Sequence, residues 1–407
     1  MRILIVNDGI GDAGGVHVYL DAIVAELAAR GHELALAHCT VQADDAGPLA
    51  CLPRFGVAGS GAGSSVDAIR RWRPDVCYVH NMEDPAAELH AVGSVPVVKF
   101  MHGYDSTCVS GYKTHAFPAA EACTRSFGPA CAGIFWPRRC GGLSPVTFAR
   151  DLLRTLSQRR LFGNYGAVVV ASDYMRQEYV ANGIDPSVVH VNPLFTSNEP
   201  DPEPRPVPAE PTVAFLGRMT PLKGGDLLVR AAHDASARLG ARITLLMIGD
   251  GPARPAWEAL ARALDVSCTW AGWVTGETRW QLLRGASLVA LPSIWPEPFG
   301  LVGLEAGALG VPAVATDVGG IREWLRDGTN GVLVASPASP EALGAALARL
   351  LGDATHLGRL GAGARRVAAE MTVARHIDRL EPVLRLTARR SVDAIVTAVT
   401  AGTGAHA

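Results

Sequence analysis

The sequence predicts an α/β protein of two doubly wound parallel-sheet domains facing across a cleft, and three observations carry that expectation. At 407 residues the chain exceeds one ordinary core. Short runs of Val, Ile, Leu and Ala alternate with amphipathic helical stretches in both halves, the pattern of βαβ units. Between the halves lies Asn198–Pro211, whose six prolines and four acids suit neither helix nor strand. The domains are therefore placed at 1–197 and 212–371, with 198–211 as linker and a last amphipathic helix at about 372–390. Ligands of such sheets sit at the carboxyl ends of the strands, so candidate residues are sought there.

In the first half, Ile3–Val6 forms a strand that ends in Asn7-Asp8-Gly9-Ile10-Gly11-Asp12-Ala13-Gly14-Gly15. The helix after it carries Val16, Tyr19, Leu20, Ile23, Val24 and Leu27 on one face and stops at Gly31. Gly9-x-Gly11-x-x-Gly14 matches a dinucleotide fingerprint, which raises an NAD-dependent oxidoreductase as a rival. The next strand, Leu34–Ala37, ends in His38-Cys39-Thr40, where that fold needs an acid for the ribose. Gly14 and Gly15 are read instead as freeing the backbone at the helix tip. Further strands fall at Val76–Val79, Val95–Phe100, Ala167–Ala171 and Val188–Val191. The fourth of these six, Val95–Phe100, runs into Met101-His102-Gly103, a histidine at a strand end that suits either packing or a site.

Cys108, Cys123, Cys131 and Cys140 crowd one loop-like segment, with gaps of fourteen, seven and eight residues and no Cys-x-x-Cys pair. Two readings stand: simple packing, or a structural metal such as zinc, with His115 as a further contender. Next come Arg138, Arg139, Arg150, Arg154, Arg159 and Arg160 against the single acid Asp151. The helix they flank, from Phe148 to Phe162, has a solvated basic face or one that contacts an anionic acceptor or a membrane surface. A formal charge of −2 excludes a globally basic nucleic-acid binder. With 48% hydrophobic but only 6% aromatic residues, Ala, Val and Leu build the core. No run of eighteen apolar residues occurs, and the start lacks a signal peptide's apolar region, so a cytoplasmic protein is expected.

The second half repeats the βα series: Val213–Leu216, a helix to Leu239, Ile243–Ile248 ending in Gly249-Asp250-Gly251, the helix Ala256–Leu264, Thr269–Val274 and a helix to Arg284. The strand Ser287–Leu291 then leads through Trp295-Pro296-Glu297-Pro298-Phe299-Gly300 into a helix that Gly310 and Pro312 stop. Glu297 falls in the strand-to-helix turn, and Glu305 lies near the end of the first two helical turns. Gly300 and Gly303 let a ligand approach the backbone. A helix start suits an anion, and two carboxylates suit sugar hydroxyls. Acids near a helix start are also stabilised by its dipole without any ligand. Upstream, Arg218 and Lys223, beside Gly217 and Gly224, are placed to reach one phosphate pair. No Asp-x-Asp ends a strand, so nothing suggests a metal-bound diphosphate. Residues beyond about Thr397 read as a frayed tail.

Three segments in this order, Gly217-Arg218 with Lys223-Gly224, Glu297-x7-Glu305, and Gly319-Gly320-Ile321-Arg322-Glu323, resemble the donor-binding half of the family 4 glycosyltransferases, retaining enzymes of the GT-B fold with two Rossmann-like domains. The resemblance covers about Thr212–Glu370. It implies a hexosyl- or N-acetylhexosaminyl-type transfer from a nucleotide sugar, UDP-linked, to an acceptor hydroxyl of a small molecule, glycan or lipid-linked sugar, without a catalytic metal. It further implies that Glu297 accepts from sugar hydroxyls while Phe299, Gly300 and Leu301 offer backbone amides. Glu305 would hold the ribose, and Val274 would cradle the base. Arg218 and Lys223 would stabilise the leaving diphosphate near Gly217 and Gly249. Gly14, Gly15 and His102 would meet the donor from the first domain. An epimerase or phosphorylase on the same architecture is the alternative.

Overall fold

The structure, a computed structural model, describes residues 1–10, 15–41, 47–58, 62–196, 200–201 and 205–403. The first half builds a parallel seven-stranded sheet from β1 (Arg2–Val6), β2 (Glu33–His38), β3 (Arg54–Gly56), β4 (Val76–Val79), β5 (Val97–Met101), β6 (Ala167–Val170) and β7 (Val189–Val191), in the order β7-β6-β5-β4-β1-β2-β3. The second half builds a parallel six-stranded sheet from β8 (Thr212–Leu216), β9 (Thr244–Ile248), β10 (Ser267–Gly272), β11 (Leu288–Leu291), β12 (Ala313–Thr316) and β13 (Gly331–Val334), in the order β10-β9-β8-β11-β12-β13. Helices cover both faces, so the central strands are continuous apolar runs: Ile3 to Val6 and Leu288 to Val289 are fully buried. Chain order reverses between β1 and β4 in one sheet and between β8 and β11 in the other. Those two switch points open the crevices that a parallel sheet offers a ligand.

The terminal helix Val373–Thr403 packs back on the first half. Ile377, Leu380 and Leu384 are buried there, and Arg30 bonds Asp378 at 2.7 Å. Its helical span runs to Thr403, past the Thr397 from which a frayed tail is expected. The cysteine segment is also more ordered than a loop. It holds a two-residue hairpin, Thr114–His115 with Glu121–Ala122, and the short helix Ala130–Ile134. Strands of two residues carry no readable periodicity. The basic helix begins at Pro145, capped by Ser144, ahead of the Phe148 start expected from its apolar spacing. Strand β10 ends at Gly272, whose φ of 70° turns the chain, so Val274 follows the strand instead of ending it.

The two halves touch beside the cleft. Helix Asp173–Ala181 presents its first backbone N–H, that of Asp173, to the Glu323 carboxylate at 2.7 Å. Gly320 makes this approach workable: a Cβ there would lie 2.6 Å from the Ser172 Cβ and 2.3 Å from the Pro298 carbonyl oxygen.

Candidate functional site

A cleft between the sheets collects side chains from the strand ends of both halves. Gly15, Tyr19 and His102 line it from the first half, and Lys223, Arg279, Ser293, Glu297, Phe299, Gly300, Leu301 and Glu305 from the second. Glu297 is buried in the turn after β11, where its Oε1 accepts from Lys223 Nζ at 2.6 Å and from Ser293 Oγ at 2.5 Å. Lys223 also lies 5.1 Å from the Trp295 ring centre, so its ammonium is fixed on two sides. One cation and one carboxylate therefore face the cleft as a preset pair.

The turn reaches helix Leu301–Ala308 through Gly300, which adopts φ 81° at the helix start. A Cβ there would stand 2.4 Å from the Ile321 side chain. Gly303 serves a different end from the ligand approach read from the sequence. A Cβ on it would lie 1.9 Å from the Trp324 ring, which fills that face of the helix and donates its Nε1–H to the Phe299 carbonyl at 2.8 Å. Gly303 is thus a packing residue. Trp324, almost wholly buried, holds the turn from beneath.

Glu305 is buried one helical turn further on, and Arg279 Nη2 meets its Oε1 at 3.2 Å. Burial pushes the Glu305 carboxyl up, with the Arg279 guanidinium opposing that rise. Arg279 in turn stacks on Trp280, 4.1 Å from its ring centre. The sequence reading missed Ser293 and Arg279, which lie outside the recognised motifs, and gave Trp295, within the Glu297 stretch, no role.

Across the cleft, His102 follows β5 and is half-buried. Its deep position, and then the nearby Lys99, lower its pKa to about 3, so the ring is neutral at physiological pH. His102 Nε2 lies 3.0 Å from Nδ1 of His80, a fully buried histidine after β4. His80 Nε2 has no partner among the described residues. A buried lone pair tolerates that better than a buried N–H does. His80 Nδ1–H therefore donates to His102 Nε2, and neutral His102 carries its own proton on Nδ1, as a donor for a ligand. Beside it, the His376 Nδ1–H donates to the Pro193 carbonyl at 2.8 Å, which leaves His376 Nε2 to accept from Tyr19 OH at 2.9 Å. Tyr78 OH then donates to Tyr19 OH at 2.7 Å. The terminal helix is tied by this chain to the cleft wall.

The other sequence candidates sit around the cleft without lining it. Gly217 and Gly249 pack backbone against backbone: a Cβ on Gly249 would be 2.1 Å from the Gly217 oxygen. Arg218 is exposed at the rim, and Val274 is half-buried against the core. Gly11 and Gly14 lie outside the described residues. Among those described, no three His, Cys, Asp or Glu side chains are grouped to hold a metal ion. Cys108, Cys123, Cys131 and Cys140, the residues considered for a structural metal, lie near one another, the first three adding to the burial that raises the Cys140 thiol. Cys140 Sγ takes His115 Nδ1 at 3.2 Å, Cys108 Sγ takes Ser110 Oγ at 3.4 Å, and Cys131 and Cys140 pack on the Val109, Phe135 and Phe148 cluster. Burial pushes the Cys140 thiol up to about 11.

Two switch-point crevices closing on one cleft, with acids and a lysine on one wall and a histidine on the other, define a class. Residues 198–367 match the family described as glycosyl transferases group 1, and residues 14–194 match a glycosyl transferase 4-like domain. The chain belongs to the family 4-type glycosyltransferases of the GT-B fold. Among curated relatives, D-inositol 3-phosphate glycosyltransferase of Nocardia farcinica is 43% identical over 162 residues, 38% of this chain and 36% of that protein. Alpha-D-kanosaminyltransferase of Streptomyces kanamyceticus is 37% identical over 145 residues, 35% of this chain and 37% of that one. The matches thus span little more than a third of these relatives' length. Of solved structures, Anabaena Alr3699/HepE in complex with UDP aligns with a TM-score of 0.68 at 18% identity, covering 95% of this chain and all of that one. WaaG, a glycosyltransferase involved in lipopolysaccharide biosynthesis, aligns with 0.67 at 17% identity, covering 94% and 99%.

Proposed function

We propose that this chain is a retaining glycosyltransferase that moves a hexosyl or N-acetylhexosaminyl group from a UDP-linked donor to an acceptor hydroxyl, without a catalytic metal. The observation that carries the reading is the Lys223–Glu297 pair at a helix start, facing His102 across the cleft. HepE structures in complex with UDP and with UDP-glucose support the choice of donor.

The uridine end binds in the second domain. Glu305, held by Arg279, accepts the ribose hydroxyls, and Val274 lies toward the base. The diphosphate lies by the start of helix Leu301–Ala308, where Gly300 and Leu301 present backbone amides and the helix dipole favours an anion. It draws the Lys223 ammonium from Glu297, and Arg218 closes from the rim. Freed of its ion pair, Glu297 accepts from the sugar hydroxyls, while His102 Nδ1–H donates to a sugar oxygen. Gly15 completes the first-domain side.

In the reaction the bond between the anomeric carbon and the diphosphate oxygen breaks, and its electron pair leaves with the UDP. The acceptor oxygen bonds the same carbon on the same face, and the acceptor's proton passes to a leaving phosphate oxygen. Lys223 and Arg218, set on the diphosphate when the donor binds, and the helix amides stabilise the charge growing on UDP, so no further reorganisation is needed in the reaction itself. Neither Glu297 nor Glu305 is assigned as a covalent nucleophile.

The test is to incubate the protein with a panel of nucleotide sugars and measure nucleotide release. Slow hydrolysis of a UDP-sugar, with other nucleotides spared, is the expected result. No release from any donor, or interconversion of the sugar with no UDP freed, would overturn the reading, the second outcome in favour of an epimerase.

A further inference from the structure

Lys223 is held in the cleft by a chain of contacts that begins in the other domain. The carbonyl of its neighbour Leu222 accepts from the Ile294 N–H at 2.8 Å and the Trp295 N–H at 3.3 Å. The turn that carries Lys223 and the turn that leads to Glu297 are thereby locked together. What stays free is the lysine side chain, 28% exposed on a flexible four-carbon stem. Two groups steer it: Glu297 Oε1 at 2.6 Å, and the Trp295 ring, whose centre lies 5.1 Å from Nζ. They act differently. The carboxylate neutralises the ammonium and must give it up before a phosphate can take it. A ring face attracts the cation through its quadrupole and carries no countercharge. Trp295 therefore keeps Lys223 in the cleft without competing for it.

Trp295 is itself set by the first domain. Tyr104, fully buried in the loop after β5, meets its ring at 6.0 Å and an interplanar angle of 85°. Tyr174, on helix Asp173–Ala181, meets Tyr104 in turn at 6.2 Å and 84°. T-shaped ring pairs at these spacings attract. Neither Tyr104 OH nor Trp295 Nε1 has a hydrogen-bond partner among the described residues. Ring contact alone joins the two, so this seam between the domains parts and re-forms without breaking a bond. Tyr104 also stands two residues after His102, and one loop thus brings a donor to the cleft and a ring to Trp295. We propose that Tyr104 and Trp295 are positioning residues for Lys223, through which the first domain sets the phosphate-binding cation of the second. The inference rests on the reaction proposed above and adds a link between its two halves. The approach of the domains that delivers His102 to the sugar also fixes Lys223 for the diphosphate.

The test measures the Kd of UDP and of uridine by titration on the full chain. Trp295→Leu should weaken UDP about fivefold, the worth of one partly desolvated cation–π contact. Uridine has no phosphate for Lys223 to meet and should stay within about twofold. Trp295→Phe keeps a ring for the ammonium and should recover most of the loss. Tyr104→Leu, in the other domain, should weaken UDP about threefold with the same selectivity, and Tyr104→Phe, which keeps the ring, should restore it. In a Lys223→Met background neither leucine variant should weaken UDP further, because the group they position is gone. Three results would overturn the proposal: UDP and uridine weakened alike, losses that persist in full beside Lys223→Met, or leucine variants that bind UDP as the wild type does. The first two would make the seam packing alone. Trp295 is half-buried, so its variants keep the test decisive if Tyr104→Leu does not fold. If the wild type prefers another nucleoside diphosphate, the same cycle run with that ligand and its nucleoside reads the seam equally well. The choice of UDP and the role of Tyr104 and Trp295 therefore fail separately, and a wild type that binds no nucleoside diphosphate would end both.

Discussion

Replacing Arg279 with leucine removes the cation facing the buried Glu305 carboxylate. With 3.2 Å between Nη2 and Oε1, Coulomb attraction at an effective dielectric of about 20 comes to roughly 5 kcal/mol. Two effects reduce it. The Arg279 side chain is 29% exposed, so solvent screens the pair, and each group regains hydration when the contact is lost. The net worth is then that of a hydrogen bond to a charged group, about 1.5–3 kcal/mol. Burial already holds the Glu305 carboxyl above its usual range with Arg279 opposing, so the substitution moves it further up. A ribose hydroxyl needs an acceptor, and only the ionised carboxylate is a full one. UDP affinity should therefore fall as pH drops through the Glu305 pKa, and in Arg279→Leu that fall should come at a higher pH. By isothermal titration the Kd for UDP should rise roughly tenfold at neutral pH, about 1.4 kcal/mol, and more in mild acid. A Kd and a pH curve that both match the wild type would refute the assignment of this pair to the ribose.

His102→Ala should keep UDP affinity, since the proposed nucleotide contacts lie in the second domain, but lose most of the transfer rate; loss of UDP binding in a folded variant would contradict that division. Arg218→Ala should cost about 2–4 kcal/mol in turnover, the scale for a donor to developing charge, and an unchanged rate at saturating donor would remove Arg218 from the reaction. Gly303→Ala should lower the melting temperature. Alanine gains about 1 kcal/mol over glycine in a helix, but its Cβ would stand 1.9 Å from the Trp324 ring, and overpacking costs about 1–3 kcal/mol. A rise in melting temperature would show that the Trp324 face yields.

The alternation of apolar runs and helical stretches was enough to foresee both parallel sheets, because strands buried on two faces must be apolar throughout. Lys223, Glu297, Glu305 and His102 were readable one by one, since each follows a strand end or opens a helix. Their partners were harder to see. Arg279 reaches Glu305 from a helix 26 residues upstream, and no local pattern announces an ion pair across elements. His80 did leave a signal, being a histidine directly after an apolar strand like His102, yet its pairing is fixed by the neighbouring positions of β4 and β5 in the sheet. Gly303 was misread because a glycine made small for a ligand and one made small for Trp324 look alike in sequence.

The central claim is that UDP-sugar cleavage occurs in this cleft and depends on Glu297. Nucleotide release from the preferred donor, followed in parallel for the wild type and Glu297→Gln with UDP affinity measured on both, tests it most directly. The variant keeps a side chain of the same shape but loses the charge that pairs with Lys223 and receives the sugar hydroxyls. The expected result is a release rate lower by roughly 10²-fold or more, with UDP affinity nearly unchanged. A variant that releases UDP as fast as the wild type would contradict the account.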